Sequence, residues 1–390
     1  MKVLILHQFY NTPEEGGALR SYYLASALAA KGFNPVVLTT HNFADIKVTA
    51  GGGVEVHYLP VTYNNRYGFF RRVYSFLLFV WRTVKYAGKF REASVCYAIS
   101  TPLTTGIAAM WIKLRYKIPY YFEVGDLWPE APIQMGFVKN PFLKFILYSL
   151  ERKIYNSAEK IVALSPSIKK SIEEKVNAKP VSIIPNMADT EVFFPEEKQR
   201  ALEEKYGVMG KFVISYTGTF GLANGLEYII ECASLAKQVL PEIHFLLCGD
   251  GMVRSKLINM VKDRLLTNVT LIPFQNRDGV KEILNVTDAV FVCYKPLKVL
   301  ETGSPNKFFD GLAAGKLMIL NFGGWMEEET INHNCGVRVD PFNPQTFIDQ
   351  VKPFVMNAEA LIEYQQAARK LAEIEYSRKI LSSNFTGIFN

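Results

Sequence analysis

Met1-Lys-Val-Leu-Ile-Leu-His-Gln-Phe-Tyr-Asn-Thr-Pro-Glu-Glu-Gly-Gly17 is the stretch that decides the fold class. Val3 to Phe9 is an apolar run suited to a buried parallel strand. Pro13 to Gly17 is a turn, and a helical pattern runs from Ala18 to Lys31 with Gly32 as its stop. Pro35 to Thr40 is the next strand, so the chain opens with a strand–helix–strand unit and a glycine turn after its first strand. The alternation continues through strands at Val95 to Ile99, Tyr120 to Glu123, Ile161 to Leu164 and Val181 to Ile184, with helices between them. A polar stretch containing Pro185-Asn186, Pro195 and Glu196 to Arg200 then marks the best domain boundary. A second alternating unit starts at Phe212 and continues through strands at His244, Val269, Ala289 and Met318. The final helical pattern, Ala358 to Ile388, has a break near Tyr376. The expected architecture is α/β, with two doubly wound parallel-sheet (Rossmann-like) domains facing one cleft, residues 1–186 and 187–375.

At 390 residues the chain exceeds one ordinary core, and its 49% hydrophobic and 21% charged content is that of a globular protein. Five scattered cysteines form no C-x-x-C pair, so neither a disulfide framework nor a zinc site is expected, and a reducing cytosol fits. The first apolar run is too short for a signal peptide, and no stretch approaches the roughly 20 apolar residues of a membrane span. The net charge of +7 is uneven: Tyr63 to Glu92 holds Arg66, Arg71, Arg72, Arg82, Lys85, Lys89 and Arg91 against the single acid Glu92. Drawn as a helix, Arg71, Arg82, Lys85 and Lys89 form one stripe, with Phe69, Val73, Phe76, Val80 and Val84 roughly opposite. Leu78 and Phe79 interrupt the basic side. Such a face suits an anionic membrane surface, or else an ordinary helix packed on a sheet. No nucleic-acid motif accompanies the charge, so nucleic acid is not an expected partner.

Glu301-Thr-Gly-Ser-Pro-Asn-Lys-Phe-Phe-Asp-Gly-Leu-Ala-Ala-Gly315 carries the most chemistry. Pro305 favours a helix start, whose free N–H groups and positive dipole end attract phosphate. Lys307 adds a cation, and Asp310 adds an acceptor one turn on, suited to a ribose hydroxyl. A glycine turn with Gly218 and Gly221 follows one strand, and Gly249-Asp-Gly251 follows another, with Arg254 beyond it. In the first half, Glu123, Asp126, Trp128 and Glu130 combine carboxylates with an aromatic face, as a sugar platform would. Asp126 suits positioning or deprotonating an acceptor hydroxyl. A capped helix, loop glycines and a tight turn are the plainer readings of these segments.

Together these residues resemble the family-4 retaining glycosyltransferases of the GT-B fold, nearest to bacterial transferases that build surface polysaccharides such as O-antigen and capsule. The likeness lies in Tyr216-Thr-Gly218 with Asn224-Gly-Leu-Glu227, in Leu247 to Gly251, in Ile184-Pro-Asn186, and in Asp126-Leu-Trp-Pro-Glu130. Gly16-Gly17 resembles the family's glycine turn against the donor phosphates. The resemblance implies a donor site of Gly16, Gly17, Gly218, Thr219, Asn224, Gly249, Arg254, Gly303, Ser304, Asn306, Lys307 and Asp310. It implies acceptor contacts at Glu123, Trp128 and Glu130, and catalytic roles for Asp126, Lys307 and Glu301. The C-terminal helix 376–390 is expected to complete the first domain.

Two departures stand out. Eight residues before Asp310 stands Thr302, with the acid displaced to Glu301, and Thr219 and Asn224 occupy positions where the family often has Arg and Lys. Lys307 is therefore the leading counter-charge for the diphosphate, with Arg254 and Lys295 behind it. The implied reaction is hexosyl or N-acetylhexosaminyl transfer from a nucleotide sugar, UDP-linked by analogy, to a lipid-linked saccharide. It needs no metal, since no D-x-D ends a predicted strand, and it takes place at the cytoplasmic face of the membrane. An epimerase or hydrolase on the same fold, or a silent binding subunit, are the alternatives.

Overall fold

The computed structural model describes residues 1–64, 67–176 and 179–390, and of Phe69 only the backbone. Arg66 of the basic run lies outside the described residues. The first sheet contains β1 (Lys2–Leu6), β2 (Asn34–His41), β3 (Lys47–Gly51), β4 (Val54–Pro60), β5 (Val95–Ile99), β6 (Tyr120–Val124), β7 (Lys160–Ala163) and β8 (Val181–Ile183). Their spatial order is β3-β4-β2-β1-β5-β6-β7-β8, parallel throughout except for the β3–β4 hairpin. The second sheet contains β9 (Phe212–Thr217), β10 (Ile243–Cys248), β11 (Val269–Ile272), β12 (Ala289–Val292), β13 (Leu317–Leu320) and β14 (Gly336–Arg338). It is ordered β11-β10-β9-β12-β13-β14 and is all parallel.

Helices fill the crossovers. In the first half they are α1 (Arg20–Ala30), α2 (Phe69–Ala87), α3 (Thr104–Tyr116), α4 (Glu130–Gln134), α5 (Pro141–Ser157) and α6 (Pro166–Glu173). The second half carries α7 (Arg200–Tyr206), α8 (Glu227–Val239), α9 (Arg254–Asp263), α10 (Arg277–Val286), α11 (Asn306–Ala313), α12 (Trp325–Asn332), α13 (Gln345–Met356) and α14 (Ala358–Leu371). Strands buried on both faces demand apolar residues at every position. Val3, Ile5 and Tyr97 face one layer with Leu24 and Leu28 of α1, while Leu4, Leu6 and Ala98 face the other with Ala108 and Ile112 of α3. The β3–β4 hairpin turns on Gly52-Gly53, at φ +58° and +78°. Paired glycines at positive φ are a hairpin signal, and the sequence reading did not use it.

After α14 the chain turns through 372–376 and enters α15 (Arg378–Gly387), which packs on α1 of the first half. Phe385 and Phe389 meet the Tyr97 and Tyr121 rings at 5.0 and 5.3 Å. The two crossings between halves run side by side. Ala188 N–H donates to Tyr376 O at 2.8 Å, and Arg378 N–H donates to Ala188 O at 3.0 Å. Beside them Asp189 gathers the Tyr23 hydroxyl (2.8 Å), Arg378 (3.2 Å) and Arg277.

The basic segment is a helix, but its faces differ from the drawing made from sequence. The buried line runs through Ser75, Phe79, Thr83 and Ala87, with Phe79 against Leu59 and Val61. Phe79 thus belongs to the core, and Arg82 turns inward to donate to the Pro60 carbonyl. Phe70, Tyr74, Leu77 and Trp81 are the exposed residues, at 53–86%. The reason is that α2 packs on α3 and on the end of β4, where Leu59 and Val61 offer only a narrow apolar strip, so several of its large side chains stay outside.

Candidate functional site

The donor-side loops leave the carboxyl ends of β9, β10 and β12, where open α/β sheets present ligands. The loops after β9 and β10 are joined by backbone hydrogen bonds. Gly218 N–H reaches Cys248 O and Phe220 N–H reaches Asp250 O, both at 2.9 Å. Gly249 sits at φ +154°, and a Cβ there would stand 1.9 Å from Gly218 O. Its glycine is therefore needed for the loop pairing, which corrects its expected role as a direct donor contact. Asn224 closes its own turn, its Oδ1 accepting Gly221 N–H at 3.3 Å. Thr219 is exposed, with its carbonyl accepting the Tyr216 hydroxyl at 2.9 Å. Arg254 opens α9, half-exposed, with no hydrogen-bond or ion-pair partner among the described residues.

Gly218 does a different job. At φ +138°, a Cβ on it would lie 3.2 Å from Lys307 Cε and 3.3 Å from Nζ. Its missing side chain lets the first turn of α11 bring Lys307 beneath the loop, with Nζ 4.7 Å from the centre of the Tyr216 ring. No carboxylate pairs with Lys307 among the described residues. Burial draws its pKa down to about 8, against the attraction of Cys293 and Asp310. Asp310, one turn on, is pushed up to about 7 by burial, with Arg277 opposing and Asp189 reinforcing. The two groups leave an ammonium that gives up its proton more readily than usual and a basic carboxylate on one helix face, both half-buried.

Glu301 lies on a short turn, Leu300–Thr302, within 3.1 Å of Lys298 Nζ. Gly323 and Gly324 lead from β13 into α12 and pack against it. A Cβ on Gly324, at φ +92°, would stand 2.8 Å from Glu301 O. Gly303 follows, its carbonyl accepting Trp325 Nε1–H at 2.8 Å. Ser304 is corrected: it is buried, its Oγ accepts Asn186 N–H at 3.2 Å, and its carbonyl accepts the Asn186 amide. Those bonds tie the two halves together. Asn306 is the first residue of α11. From the first half, Gly16 (φ +73°) reaches across, and a Cβ there would lie 3.4 Å from Asn276 Cα. Gly17 follows at φ +82°. The glycine turn therefore abuts the second half.

Opposite this pocket Asp126 opens to the cleft just past β6, accepting the Thr101 hydroxyl at 3.1 Å. Crowding raises its carboxyl above the ordinary value despite that bond. Its charge is felt by Tyr294, at the end of β12 in the other half, whose phenol burial already raises. Glu123 is corrected. It is wholly buried, held by Arg20 through two bonds of 2.8 and 3.0 Å and by the Tyr97 hydroxyl, so no saccharide touches it. Glu130 accepts the Tyr148 hydroxyl on one oxygen and Gln134 Nε2–H on the other. Trp128 is half-buried against the apolar layer that holds Leu127.

The family described as "Glycosyl transferase 4-like domain" matches residues 15–187, and "Glycosyl transferases group 1" matches residues 198–371. The chain is a glycosyltransferase of the GT-B fold. Similar proteins include an uncharacterized glycosyltransferase, YqgM, of Bacillus subtilis, 24% identical over 72% of this chain and 74% of that protein. WcaI of Escherichia coli, a putative colanic acid biosynthesis glycosyl transferase, is 26% identical over 58% and 55%. Among solved structures, sucrose-phosphate synthase from Thermosynechococcus elongatus aligns at TM-score 0.81 with 14% identity, covering 100% and 98% of the two chains. Anabaena HepE, in complex with UDP and glucose, aligns at 0.73 with 16% identity, covering 100% and 99%.

In this glycosyltransferase three features escaped the sequence reading. The first is a strap across the cleft: Leu297, Val299 and Leu300 of the second half join the apolar layer of the first. Val299 N–H donates to Gln134 Oε1 at 3.1 Å, and the Ser165 hydroxyl donates to Thr302 O at 2.7 Å. The second is Tyr294, which shares the cleft with Asp126. The third is the Arg20–Glu123–Tyr97 cluster, which also donates from Arg20 to Pro185 O and Ile184 O at 2.5 and 2.8 Å and so holds the crossing to the second half. His7, beside it, bonds Ser21 Oγ at 2.7 Å and is driven to about 4 by burial, with Glu123 opposing and Arg20 reinforcing. The partners of Arg20, Val299 and Ser165 are over a hundred residues away in the chain, so local patterns carry no trace of them. Glu123→Ala is expected to cost about 3–5 kcal/mol in urea unfolding, because Arg20 is left charged and buried. Arg20→Met with Glu123→Met should cost less than Glu123→Ala alone, and a larger loss in the double variant would contradict this account.

Proposed function

We propose that the protein transfers a hexosyl or N-acetylhexosaminyl group from a UDP-linked donor to a lipid-linked saccharide, with retained anomeric configuration, during assembly of a surface polysaccharide. The observation that carries this reading is Lys307: an unpaired, half-buried ammonium at a helix start, held beneath a glycine loop at the carboxyl edge of a parallel sheet. Residues 187–375 then hold the donor, and residues 1–186 with 376–390 hold the acceptor. Lys307, the α11 N–H groups and Arg254 meet the diphosphate, Asp310 meets the ribose, and Glu301 with Gly303 and Asn306 borders the sugar. Gly16, Gly17 and Thr219 line the opposing wall.

Bond cleavage places negative charge on the departing diphosphate, which preorganised cations and N–H groups stabilise without reorganising. Asp126 takes or orients the proton of the attacking hydroxyl. The strap and the Gly16–Asn276 contact keep the halves together and exclude water. The name of WcaI supports polysaccharide synthesis, and the UDP and glucose in HepE support the donor class. The basic Tyr63 to Glu92 segment supports a peripheral place on the cytoplasmic membrane face. The test is incubation with a panel of nucleotide sugars, with and without membrane-extracted lipid-linked saccharides. Sugar should pass to the lipid fraction from one donor, and UDP release should depend on the acceptor. Equal release without acceptor would make the protein a hydrolase and sink the transferase reading.

A further inference from the structure

Outside the cleft, the surface that least resembles an ordinary solvated face lies between α2 and α3. A groove of about 450 Å³ runs between them, its apolar wall formed by Leu77, Val80, Trp81, Val84, Trp111 and Tyr116 and the rest of its lining by Lys85 and Arg115. Trp81 and Trp111 are 59% and 55% exposed at its rim, and Leu114 is 65% exposed beside it. One end of the groove meets a second, polar hollow formed by Arg91, Arg115, Tyr116 and Lys117. The guanidinium groups of Arg91 and Arg115 stand 5.4 and 5.8 Å from the Tyr116 ring centre. Neither they nor Lys117 has a carboxylate partner among the described residues. Glu92, the acid in this stretch, is engaged by Lys2 at 2.5 Å. Three cations thus crowd one end of the trough with no carboxylate among the described residues to neutralise them, and exposed tryptophans flank the opening. Tryptophan favours the boundary between hydrocarbon and headgroups, and clustered basic residues favour anionic headgroups.

We propose that this groove seats an acyl chain of an anionic phospholipid, with the lipid phosphate held by Arg91, Arg115 and Lys117. The charge complementarity selects this occupant: an apolar peptide would leave the three cations unanswered, and a free anion would leave the trough and both tryptophans in water. α5 adds Phe142 and Phe145, each 71% exposed, from the segment that follows the Asp126 motif. Because α2, α3 and α5 are crossover helices of one sheet face, the lipid-binding surface extends from this groove toward the cleft mouth. The inference rests on the peripheral-membrane part of the proposed function and adds a specific lipid site to it.

The test uses the full chain with vesicles of phosphatidylglycerol and phosphatidylcholine carrying bromine on their acyl chains. Trp81 and Trp111 are the open indoles, since Trp325 is buried and Trp128 half-buried. Brominated phosphatidylglycerol should quench the emission of the wild type, and Trp111→Ala should lose a large share of that quenching. Arg115→Glu with Lys117→Glu should weaken partitioning about tenfold and flatten its salt dependence, since each basic residue near an anionic surface contributes a few-fold. Arg115→Lys with Lys117→Arg should restore binding. Equal binding to pure phosphatidylcholine, or unchanged partitioning in the charge-reversed variant, would overturn the proposal. Quenching that appears only when lipid-linked acceptor is supplied would assign the groove to the acceptor tail and overturn it too. UDP binding, measured on the same variants, should not change. Its absence in the wild type, with vesicle binding intact, would sink the donor site and leave the lipid site standing.

Discussion

Lys307→Met is expected to lower kcat/KM for the donor about 10²–10³-fold, the usual consequence of removing one preorganised charge from a developing anion. Methionine keeps the length and packing of the side chain, so thermal unfolding should move little. The pH dependence separates this role from a structural one. In the free protein Lys307 carries its proton below about 8, and Asp310 is ionised above about 7. A bound diphosphate favours the protonated ammonium and raises its pKa. Binding above pH 8 must therefore take up a proton, and UDP affinity falls as pH rises, by up to about tenfold per unit. Below about 7 Asp310 is protonated and accepts the ribose hydroxyl less well, so affinity falls there as well. Calorimetric titration with UDP should give a maximum between those values, and Lys307→Met should abolish the alkaline limb. A variant that keeps both the limb and its turnover would move the phosphate cation elsewhere, with Arg254 first in line.

The fold was readable because its signal is local and repeated. Buried parallel strands must be apolar at almost every position, and Val3 to Leu6, Phe212 to Thr217 and Ile243 to Cys248 satisfy this in runs that need no tertiary knowledge. The β3–β4 hairpin was missed because β3 lies at the sheet edge and is largely exposed, which dilutes the alternation. The candidate site follows a different rule. Lys307, Asp310 and Gly218 could be singled out because helix start, cation and glycine turn are adjacent to recognisable strands, and the structure brings Gly218 and Lys307 together. Glu123 has the right chemistry for a site, but it is buried and both its oxygens are taken by Arg20 and the Tyr97 hydroxyl. A sequence displays donors and acceptors and does not show which of them the fold has already satisfied. The same limit hid the strap: Val299 is an unremarkable valine until the first half supplies its apolar layer and Gln134 its hydrogen bond.

Asp126→Ala should cost about 10²–10⁴ in transfer, the range of a positioned general base, with donor affinity unchanged. The argument rests on which half each group belongs to. In the proposed function Lys307 and Asp310 stand with the donor, whereas Asp126 follows β6 in the first half and its charge is felt across the cleft by Tyr294. Removing its carboxylate should therefore spare UDP binding and the slow loss of donor to water, while acceptor turnover collapses. The raised carboxyl pKa fixes the sign of the pH effect. A base works only when ionised, so transfer should decline as pH falls through a value above that of an ordinary aspartate. Asp126→Asn keeps the shape and an oxygen for the Thr101 hydroxyl, so it should lose that acid limb along with the rate. If the asparagine variant transfers sugar normally, proton removal happens elsewhere and Asp126 merely braces its loop. If it fails while Thr101→Val stays active, the chemistry belongs to the carboxylate itself, because a bracing role would suffer equally from losing either partner of the 3.1 Å bond.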